Sequence, residues 1–588
     1  MSKMQINDLV RRGEYRRAIS LLEAALRRSP QDLDLIALMS FVLFRANELV
    51  RAEHFARRTL ERLPNHPHAN HNLGNILLRL GRFDEALPLL TRALELAPGE
   101  PEIRIALGTT LSSLNRPAAA VKVFEEGLSL RPGHEGFRIN LAHALHAMGH
   151  IDRALTILRE ALPSHKNDAA FLDAWCGVLN YAPGVTAAEQ FEAHRAWGQL
   201  VEAAVPRERP ALRAELREGE RLHIGLLSSD LRDHAVGYLV EDLLEHADRD
   251  RVKISCYAGQ APEDEMMRRL RKLADGWTSL ANMTYADAAA LIRRDGVHCL
   301  IDLAGHTKGQ MLQVFAHRAA PVQATYTGYP NTTGLKDCDY RIVDSMTDPP
   351  GTECFSTEKL LYLDPCYMSY RPPADLPPVK AREPGAPLTF GCFGSLLKYN
   401  DALIATWSRV LKETPGSRMV LMHTALRDED VREDVKRRFE RNGVDPSRIE
   451  PREPVKGRVG VLKAAGEIDV ALDTFPYNGA VTIVESLLMG VPYVSRAGET
   501  PASRAGLSIL SAVGLSDLCA RDEEGFVRTA VELAKDGARR AHLREALRDK
   551  VLASSICRGK AFAERFESAL RSVLSSQPFG APGVWSGL

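Results

Sequence analysis

The apolar and polar positions of the chain follow two different rhythms. From about residue 4 to 165, and again over roughly 169–204, apolar residues recur with the 3.6-residue period of amphipathic helices. Beyond Pro206 to Pro210, short apolar runs that are typical of buried strands alternate with helical segments. The pattern therefore predicts a helical first part followed by an α/β part with parallel sheets.

The helical part repeats with a period of 34 residues. Prolines mark this period at Pro30, Pro64, Pro98 and Pro132. Residues that tolerate a positive φ recur at Gly13, Asn47, Gly81, Asn115 and Gly149. Alanines that allow two helices to cross closely recur at Ala18, Ala52, Ala86, Ala120 and Ala154. This repeat period is typical of tetratricopeptide repeats, whose stacked helical hairpins form a groove. The alternative is a generic helical domain.

Two series of candidate strands follow the helical part. The first series consists of HIGLLSS, VKISCYAG, CLIDLAG, VQATYTG and YRIVD, and the second of LTFGCFG, RMVLMHT, IDVALDTFP and VPYVSRAG. Between them, PPADLPPVKAREPGAP (372–387) is rich in proline, which is typical of a hinge. Two doubly wound units that face each other form a cleft at the carboxyl ends of their strands.

These patterns predict the domain organisation. We expect tetratricopeptide repeats over 1–165, a helical adaptor over 166–215, a first Rossmann-like lobe over 216–375, a second over 385–555, a closing helix over 556–575 and a loose tail over 576–588.

Composition excludes some classes of function. Lys plus Arg and Asp plus Glu number 76 each, so no overall field attracts nucleic acid or an anionic membrane. The nine cysteines form no C-x-x-C pair, which is typical of reduced thiols in the cytoplasm. No apolar run approaches the roughly 18 residues of a membrane span, and the start of the chain lacks the apolar core of a signal peptide. We therefore expect a cytoplasmic protein without a membrane span.

A phosphate-binding turn is predicted after one strand of the second series. The strand ends at Asp473, a loop passes Gly479, and a helix begins near Val481, whose free N–H groups would hold a phosphate. Glu485 lies in the next turn and is a candidate acceptor for ribose hydroxyls. The alternative is an ordinary connection with Glu485 in solvent.

Lys398 and His234 follow strands of the second and the first series. Lys398 would neutralise a departing diphosphate, although a lysine in a loop is usually just solvated. His234 would accept a proton or donate a hydrogen bond to substrate. The alternative is that Asp233 caps the following helix and that His234 merely lies nearby.

Two further histidines flank the strand CLIDLAG. Only His306 stands at its carboxyl end, whereas His298, at its start, is more typical of a core or edge residue. The turn GYPNTTG (328–334) offers hydrogen-bond donors to a sugar or phosphate. The chain contains no H-E-x-x-H, G-x-S-x-G or G-x-x-x-x-G-K-[ST] motif, which disfavours metalloprotease, serine hydrolase and P-loop functions.

The repeats and these turns together resemble one known family. LNYAPGVTAAEQFEAHRAWG, SSDLRDHAVGYL, DGVHCLIDLAGHTKG, FAHRAAPVQATYTGYPNTTGL, LDTFPYNG, ESLLMGVPYV and GETPASRAGLSIL occur in the order of the O-linked N-acetylglucosamine transferase family, which includes bacterial and SPINDLY-like members. The resemblance implies a GT-B architecture, a UDP-sugar held mainly by the second lobe, and Ser or Thr acceptors along the groove. It implies no metal and no other cofactor.

The resemblance also assigns roles to individual residues. His234 matches an active-site histidine that is a candidate base. Lys398 matches a lysine that contacts the diphosphate, and Glu485 matches an acidic residue that contacts the ribose. His298 and His306 fall in a segment that supplies other cleft histidines. The catalytic set is thus His234, Lys398, His298 and His306, the nucleotide-sugar set is Ser395, Lys398, Gly479, Ala480, Val481, Thr482 and Glu485, and the cleft turn is Tyr329 and Pro330.

The sugar-donor site departs from the family pattern. The family usually has Gly-(Thr or His)-Thr-Thr where this chain has Gly479-Ala480-Val481-Thr482, and often Asn-Gln-x-x-Lys where it has Gly394 to Lys398. A histidine that stacks near the uracil would fall at Gly460 or Val461. Each lost hydrogen bond costs about 0.5–1.5 kcal/mol, so together the losses weaken binding of the sugar donor by on the order of a hundredfold.

The sequence therefore predicts an inverting, metal-independent transferase that moves a sugar, expected to be N-acetylglucosamine, from UDP to Ser or Thr of polypeptides. Two alternatives remain. One is a related transferase with another sugar donor or a specialised acceptor such as flagellin. The other is a catalytically silent scaffold whose repeats bind a peptide.

Overall fold

The computed structural model of the protein describes residues 3–206, 212, 216–259, 263–383, 385–455 and 457–575. These residues divide into two compact units: one extends to Ala161 and includes 427–432, and the other comprises the remainder. The predicted loose tail (576–588) and part of the predicted adaptor (207–211 and 213–215) lie outside the described residues. None of the helices within the described ranges is long and apolar enough to cross a bilayer.

The repeats consist of paired helices. They are α1 (Lys3–Arg11), α2 (Tyr15–Arg28), α3 (Leu33–Arg45), α4 (Leu49–Arg62), α5 (Pro67–Arg79), α6 (Phe83–Leu96), α7 (Pro101–Ser113), α8 (Pro117–Leu130), α9 (Glu135–Ala147) and α10 (Ile151–His165). All five predicted turn residues have positive φ, between 56° and 78°. The five predicted contact alanines are fully buried. The prediction of tetratricopeptide repeats is thus confirmed.

Close helix crossings depend on small residues inside the repeats. A Cβ atom added to Gly108 of α7 would lie 2.3 Å from the Phe124 ring of α8. Phe124 is 1 % exposed, so its ring has no room to move aside. A glycine at position 108 therefore lets the aromatic ring of the next helix pack directly on the backbone.

The adaptor consists of α11 (Ala169–Leu179) and α12 (Ala187–Ala203). Asp168 caps α11 by accepting hydrogen bonds from two backbone N–H groups, and Thr186 caps α12 by accepting one from the N–H of Glu189. These caps explain why both helices begin where the predicted helical stretches begin.

The first lobe contains a seven-stranded parallel sheet in the order β3-β2-β1-β4-β5-β6-β7. The strands are β1 (Leu222–Ser228), β2 (Val252–Ala258), β3 (Gly276–Ser279), β4 (Cys299–Asp302), β5 (Val322–Tyr326), β6 (Tyr340–Val343) and β7 (Lys359–Tyr362). The helices are α13 (Ala235–His246), α14 (Glu265–Leu273), α15 (Tyr285–Arg294) and α16 (Gln313–Ala316). The edge strands β3 and β7 were not predicted, because they are short and partly exposed and so lack a continuous apolar run.

The second lobe contains a six-stranded parallel sheet in the order β10-β9-β8-β11-β12-β13. The strands are β8 (Thr389–Cys392), β9 (Arg418–Met422), β10 (Ile449–Arg452), β11 (Val470–Leu472), β12 (Tyr493–Arg496) and β13 (Cys519–Ala520). The helices are α17 (Asp401–Glu413), α18 (Glu429–Arg441), α19 (Arg458–Ala465), α20 (Val481–Leu488), α21 (Ala505–Ala512), α22 (Glu523–Lys535) and α23 (Gly537–Ala553). The edge strands β10 and β13 were again missed.

The last helix returns to the first lobe. In α24 (Gly559–Ser575), the rings of Phe562 and Phe566 lie 6.4 and 5.5 Å from the ring of Tyr326 at the end of β5. Both phenylalanines belong to the hydrophobic core of the first lobe. The predicted closing helix therefore fastens the end of the chain to the first sheet.

Turns at the carboxyl ends of the two sheets contact each other. Ser508 of α21 donates a hydrogen bond to the carboxylate of Asp344, which follows β6. Arg504 Nε donates to the carbonyl oxygen of Met346 at 2.8 Å. These bonds hold the lobes against each other at one side of the cleft.

Candidate active site

The turn after β11 is built around a buried carboxylate. Asp473 is fully buried, and its Oδ1 accepts hydrogen bonds from the N–H groups of Thr474 and Gly479, each at 2.8 Å. Its Oδ2 accepts from Ser495 Oγ at 2.5 Å, and the Tyr493 hydroxyl lies 3.2 Å from Oδ1. Burial raises the pKa of Asp473, and these hydrogen bonds oppose the rise. Asp473 thereby fixes both ends of the turn, a role that the sequence did not reveal.

Gly479 is required by close packing inside this turn. A Cβ atom at position 479 would lie 2.8 Å from Thr482 Oγ1 and 3.0 Å from the Tyr493 hydroxyl. The Thr482 hydroxyl is itself hydrogen-bonded to Tyr493. Of the polar groups of Thr482, only the backbone N–H is then left for a ligand.

The amino end of α20 offers unpaired backbone donors. Ala480 is the N-cap residue and has no polar side chain with which to cap the helix. The N–H groups of Ala480, Val481 and Thr482 form no hydrogen bond within the described part of the chain. Three amides at the positive end of a helix dipole are the arrangement that binds phosphate.

Lys398 lies beside these amides. It ends a short 3-10 turn after β8, and its Nζ donates a hydrogen bond to the carbonyl oxygen of Asn478 at 2.6 Å. Nζ also lies 4.3 Å from the centre of the Tyr477 ring. Burial lowers the pKa of Lys398 to about 8, while the Asp473 carboxylate favours the charged form. The Ser395 carbonyl oxygen accepts a hydrogen bond from the Lys398 backbone N–H at 3.0 Å. The Ser395 hydroxyl has no partner among the described residues.

The adaptor reaches this turn through an aromatic contact. Tyr181, just after α11, stacks on Tyr477 with ring centres 4.7 Å apart and planes inclined by 15°. From the second lobe, Asn400 Nδ2 donates to the carbonyl oxygen of Phe475 at 2.7 Å. The turn is thus held both by its own lobe and by the adaptor.

Glu485 lies one turn into α20 and is 7 % exposed. Its Oε1 accepts hydrogen bonds from the Tyr370 hydroxyl at 2.8 Å and from Arg458 Nε at 3.3 Å. Burial raises the pKa of Glu485, and Arg458 opposes the rise. Oε2 has no hydrogen-bond partner within the described ranges, so one carboxylate oxygen remains for a ligand. The alternative that Glu485 lies in solvent is wrong.

Arg458 is a site residue that sequence reasoning missed. Its guanidinium lies 4.1 Å from the centre of the Tyr238 ring of the first lobe and 4.7 Å from that of Tyr370. It begins α19, the segment in which the expected stacking histidine is missing at Gly460 or Val461. Two tyrosine rings thus lie against the Arg458 guanidinium, and its Nε pairs with Glu485 Oε1 at 3.3 Å.

His234 is the N-cap residue of α13. Its Nδ1 accepts a hydrogen bond from the N–H of Val236 at 3.3 Å, so His234 rather than Asp233 caps the helix. Burial lowers the pKa of His234, and the Asp230 carboxylate opposes this. Because Nδ1 is an acceptor, the neutral ring carries its proton on Nε2, which has no partner in the described chain. The geometry therefore favours His234 as a hydrogen-bond donor to substrate over a base.

His306 is enclosed between the first lobe and the adaptor. Its Nδ1 lies 2.6 Å from Asp173 Oδ1 and its Nε2 2.9 Å from the carbonyl oxygen of Thr333. Its side chain is fully buried. Since both ring nitrogens face acceptors, neither is left for a substrate. This placement favours a structural role over the predicted catalytic one.

Tyr329 belongs to the same buried network. Its hydroxyl accepts a hydrogen bond from Asn180 Nδ2 at 2.5 Å and lies 2.7 Å from His194 Nε2. Like His306, Tyr329 therefore joins the adaptor to the first lobe, so its position in the cleft turn is structural. The nearest signal in the sequence was the Gly- and Thr-rich turn, which gave no hint of its adaptor partners.

His298 lies at the amino-terminal ends of the strands of the first sheet. It precedes β4, and its Nδ1 accepts a hydrogen bond from the N–H of His223 at 3.0 Å. Ligands bind at the carboxyl ends of the parallel strands, on the side of the sheet opposite to His298. The structure thus gives His298 the core position that was the alternative to catalysis.

Pro330 lines a small cavity between the lobes, together with Thr327, Pro501 and Ala505. Thr327 follows β5 with a φ of +55°, which is an outlier for a β-branched residue. Backbone strain of this kind clusters at functional sites, and the sequence gave no signal of it. The cavity lies at the carboxyl ends of β5 and β6.

Three side chains within the described ranges are close enough to hold a metal ion: Cys176, His194 and His306. Their histidine nitrogens, however, already hydrogen-bond within the protein, since His194 Nδ1 lies 2.5 Å from the carbonyl oxygen of Gln190 and Nε2 faces Tyr329. The residues fit a hydrogen-bonded core better than a metal site. The expectation of metal-independent chemistry stays a prediction.

Comparisons with known proteins agree with this geometry. The sequence profile of Glycosyl transferase family 41 matches residues 208–370 and 380–566. Tetratricopeptide repeat profiles match residues 9–76, 67–132 and 113–174. The family profile thus spans both lobes, and the repeat profiles cover the helical part.

Relatives and a solved structure support the same assignment. The chain is 35% identical over 404 residues to the probable UDP-N-acetylglucosamine–peptide N-acetylglucosaminyltransferase SPINDLY of Arabidopsis thaliana, covering 67% of this chain and 44% of that protein. It is 30% identical over 338 residues to the protein of the same description named SEC from that plant, covering 54% and 34%. A mutant of the Thermobaculum terrenum O-GlcNAc transferase aligns with a TM-score of 0.71 at 29% identity, covering 92% of this chain and 98% of that one. The chain spans less than half the length of the plant relatives. With the profile matched across both lobes, the chain belongs to glycosyl transferase family 41.

Proposed function

We propose that the protein is an inverting, metal-independent glycosyltransferase that moves N-acetylglucosamine from UDP to Ser or Thr hydroxyls of polypeptides. The observation that carries the proposal is the set of three unpaired amides at the start of α20 beside the Lys398 ammonium. The family assignment and the names of the relatives support the substrate class.

The second lobe supplies the electrostatics of the reaction. The acceptor oxygen attacks the anomeric carbon of the sugar, the bond from that carbon to the diphosphate breaks, and UDP departs with the electron pair. Lys398 and the amides of Ala480 to Thr482 stabilise the negative charge that develops on the diphosphate. The hydroxyl proton passes to water or to a cleft base.

Other residues orient the two substrates. Glu485 accepts a hydrogen bond from a ribose hydroxyl through Oε2, and Arg458 holds that carboxylate in place through Oε1. From the first lobe, His234 donates a hydrogen bond from Nε2 to the sugar or the acceptor. Holding both substrates in line converts the transfer into an effectively unimolecular step.

The acceptor and the location are part of the proposal. A polypeptide lies along the groove of the repeats, as is common for tetratricopeptide domains, and nucleic acid is not a partner. The nine cysteines are all free, which supports a cytoplasmic location.

A different sugar donor is the second candidate. Ala480 and Val481 give no side-chain hydrogen bond to phosphate, and a pocket altered in this way selects among nucleotide sugars differently. A specialised acceptor such as flagellin belongs to this same candidate, and a silent scaffold is the third.

A panel of nucleotide sugars with a peptide library, read by the mass of the product, tests the proposal. UDP-N-acetylglucosamine is expected to add one N-acetylhexosamine, and Lys398→Ala is expected to abolish the addition. The matched control is Lys412→Ala, on the far end of α17. Transfer from another nucleotide sugar alone favours the second candidate, and no transfer from any favours the scaffold.

A further inference from the structure

The adaptor contributes an aromatic side chain to the turn that surrounds the proposed diphosphate site. Tyr181 and Tyr477 stack nearly parallel, with ring centres 4.7 Å apart, and the centre of the Tyr477 ring lies 4.3 Å from Lys398 Nζ. One tyrosine ring therefore contacts both the adaptor and the cation of the site.

The Tyr477 ring restrains Lys398. A ring face attracts an ammonium group, and the attraction strengthens where water is excluded. The ammonium also donates a hydrogen bond to the carbonyl oxygen of Asn478 at 2.6 Å and interacts electrostatically with Asp473 and Cys392. The direction of the Lys398 side chain therefore depends on the orientation of the Tyr477 ring.

The position of Tyr181 is itself fixed by the first lobe. The preceding residue, Asn180, donates from Nδ2 to the Tyr329 hydroxyl at 2.5 Å and accepts from Asn331 Nδ2 at 2.8 Å. Asn180 is fully buried, so the backbone at the end of α11 has little freedom. A chain of contacts thus runs from the first lobe through the adaptor to the diphosphate turn of the second lobe.

We propose that Tyr181 is a positioning residue for the sugar donor, which orients Tyr477 and, through that ring, directs Lys398 toward the diphosphate. The inference rests on the proposed function, because it assigns Tyr181 to the same site. It makes the adaptor a part of the catalytic unit rather than a spacer.

The kinetic test compares three variants. Tyr181→Phe keeps the ring and is expected to keep the KM for the sugar donor within about twofold of the wild type. Tyr181→Ala loses the stack and is expected to raise that KM about threefold to tenfold, with a smaller effect on the KM for the peptide. Tyr285→Ala removes an exposed tyrosine ring of the first lobe and serves as the control. Equal donor KM values for Tyr181→Ala and the wild type would overturn the inference.

A second measurement needs no catalytic activity. The rate at which an amine-reactive acetylating reagent labels Lys398, read by peptide mass against pH, gives the pKa of the ammonium. The groups that face it are Asp473, Cys392 and the Tyr477 ring, whose other contact is Tyr181. The midpoint is expected near pH 8 in the wild type and in Tyr181→Phe, and higher in Tyr181→Ala because water enters.

The two measurements separate the two proposals. If the wild type transfers no sugar, the proposed function fails and the labelling profile still tests the role of Tyr181. If the labelling midpoint of Tyr181→Ala equals that of the wild type, the positioning role fails whatever the activity. Should Tyr181→Ala not fold, Tyr181→Leu replaces it, since leucine fills the space without an aromatic face.

Discussion

The Tyr370 hydroxyl donates a hydrogen bond to Glu485 Oε1 at 2.8 Å. Tyr370 belongs to the segment between the lobes, and Glu485 to the helix that starts at the proposed phosphate site. With Arg458 on the same oxygen, the bond orients the carboxylate so that Oε2 remains available. The site is therefore arranged before a nucleotide arrives, which reduces the ordering cost of binding.

Glu485→Gln tests this arrangement. The amide binds a ribose hydroxyl less strongly than the carboxylate, so the Kd for UDP is expected to rise about tenfold by calorimetry. Glu467→Gln, a change at an exposed ion pair with Arg452, is the control and is expected to leave the Kd unchanged. An unaltered Kd in Glu485→Gln would remove Glu485 from the ribose site.

The pKa of Lys398 predicts the alkaline limb of the pH profile. Burial lowers that pKa to about 8, and the site needs the charged form. As pH rises through 8 the ammonium loses its proton, so kcat/KM is expected to fall about tenfold per pH unit above it. Arginine stays charged at these pH values, so Lys398→Arg is expected to lose the limb even if its activity is low. The same limb in both proteins would assign it to another group.

Two substitutions at His234 test whether this residue acts as a hydrogen-bond donor or as a base. Glutamine at position 234 keeps an N–H donor at the end of the side chain but cannot accept a proton. We expect His234→Gln to retain most of kcat and His234→Ala to lose about tenfold, measured under saturating sugar donor. If both variants lose activity equally, His234 acts as the base.

Gly479→Ala tests the packing of the diphosphate turn. The added methyl group would lie 2.8 Å from Thr482 Oγ1 and 3.0 Å from the Tyr493 hydroxyl, so the turn must shift. We expect the free energy of unfolding in urea to fall by about 1–3 kcal/mol. Gly99→Ala adds a methyl group where no atom lies within 4 Å and is the control. Equal effects of the two substitutions would show that the turn tolerates a side chain.

The sequence predicted the repeats and the central strands because both leave a local signal. The 34-residue period predicted the positions of the turns, and continuous apolar runs predicted strands such as β1 and β4. The edge strands β3, β7, β10 and β13 were missed, because half-exposed strands of two to four residues carry no such run.

Site residues were predicted correctly where the local sequence shows their role. They were not predicted where the role depends on contacts with residues that are far away in the sequence. Lys398 and the start of α20 were found from the turns that contain them. His306 was assigned to catalysis because nothing local reveals its pairing with Asp173, which is far away in the sequence. Asn180 and Tyr181 were read only as part of an adaptor, since a helical pattern says nothing about what its last turn touches.

Calorimetric titration of the wild type and of Lys398→Ala with UDP tests most directly whether a diphosphate binds between Lys398 and the amides of α20. We predict that the wild type binds UDP with a Kd below about 1 mM and that Lys398→Ala, folded by circular dichroism, binds at least about tenfold more weakly. No UDP binding by the wild type at millimolar concentration, or equal affinity in the two proteins, would contradict the proposed site.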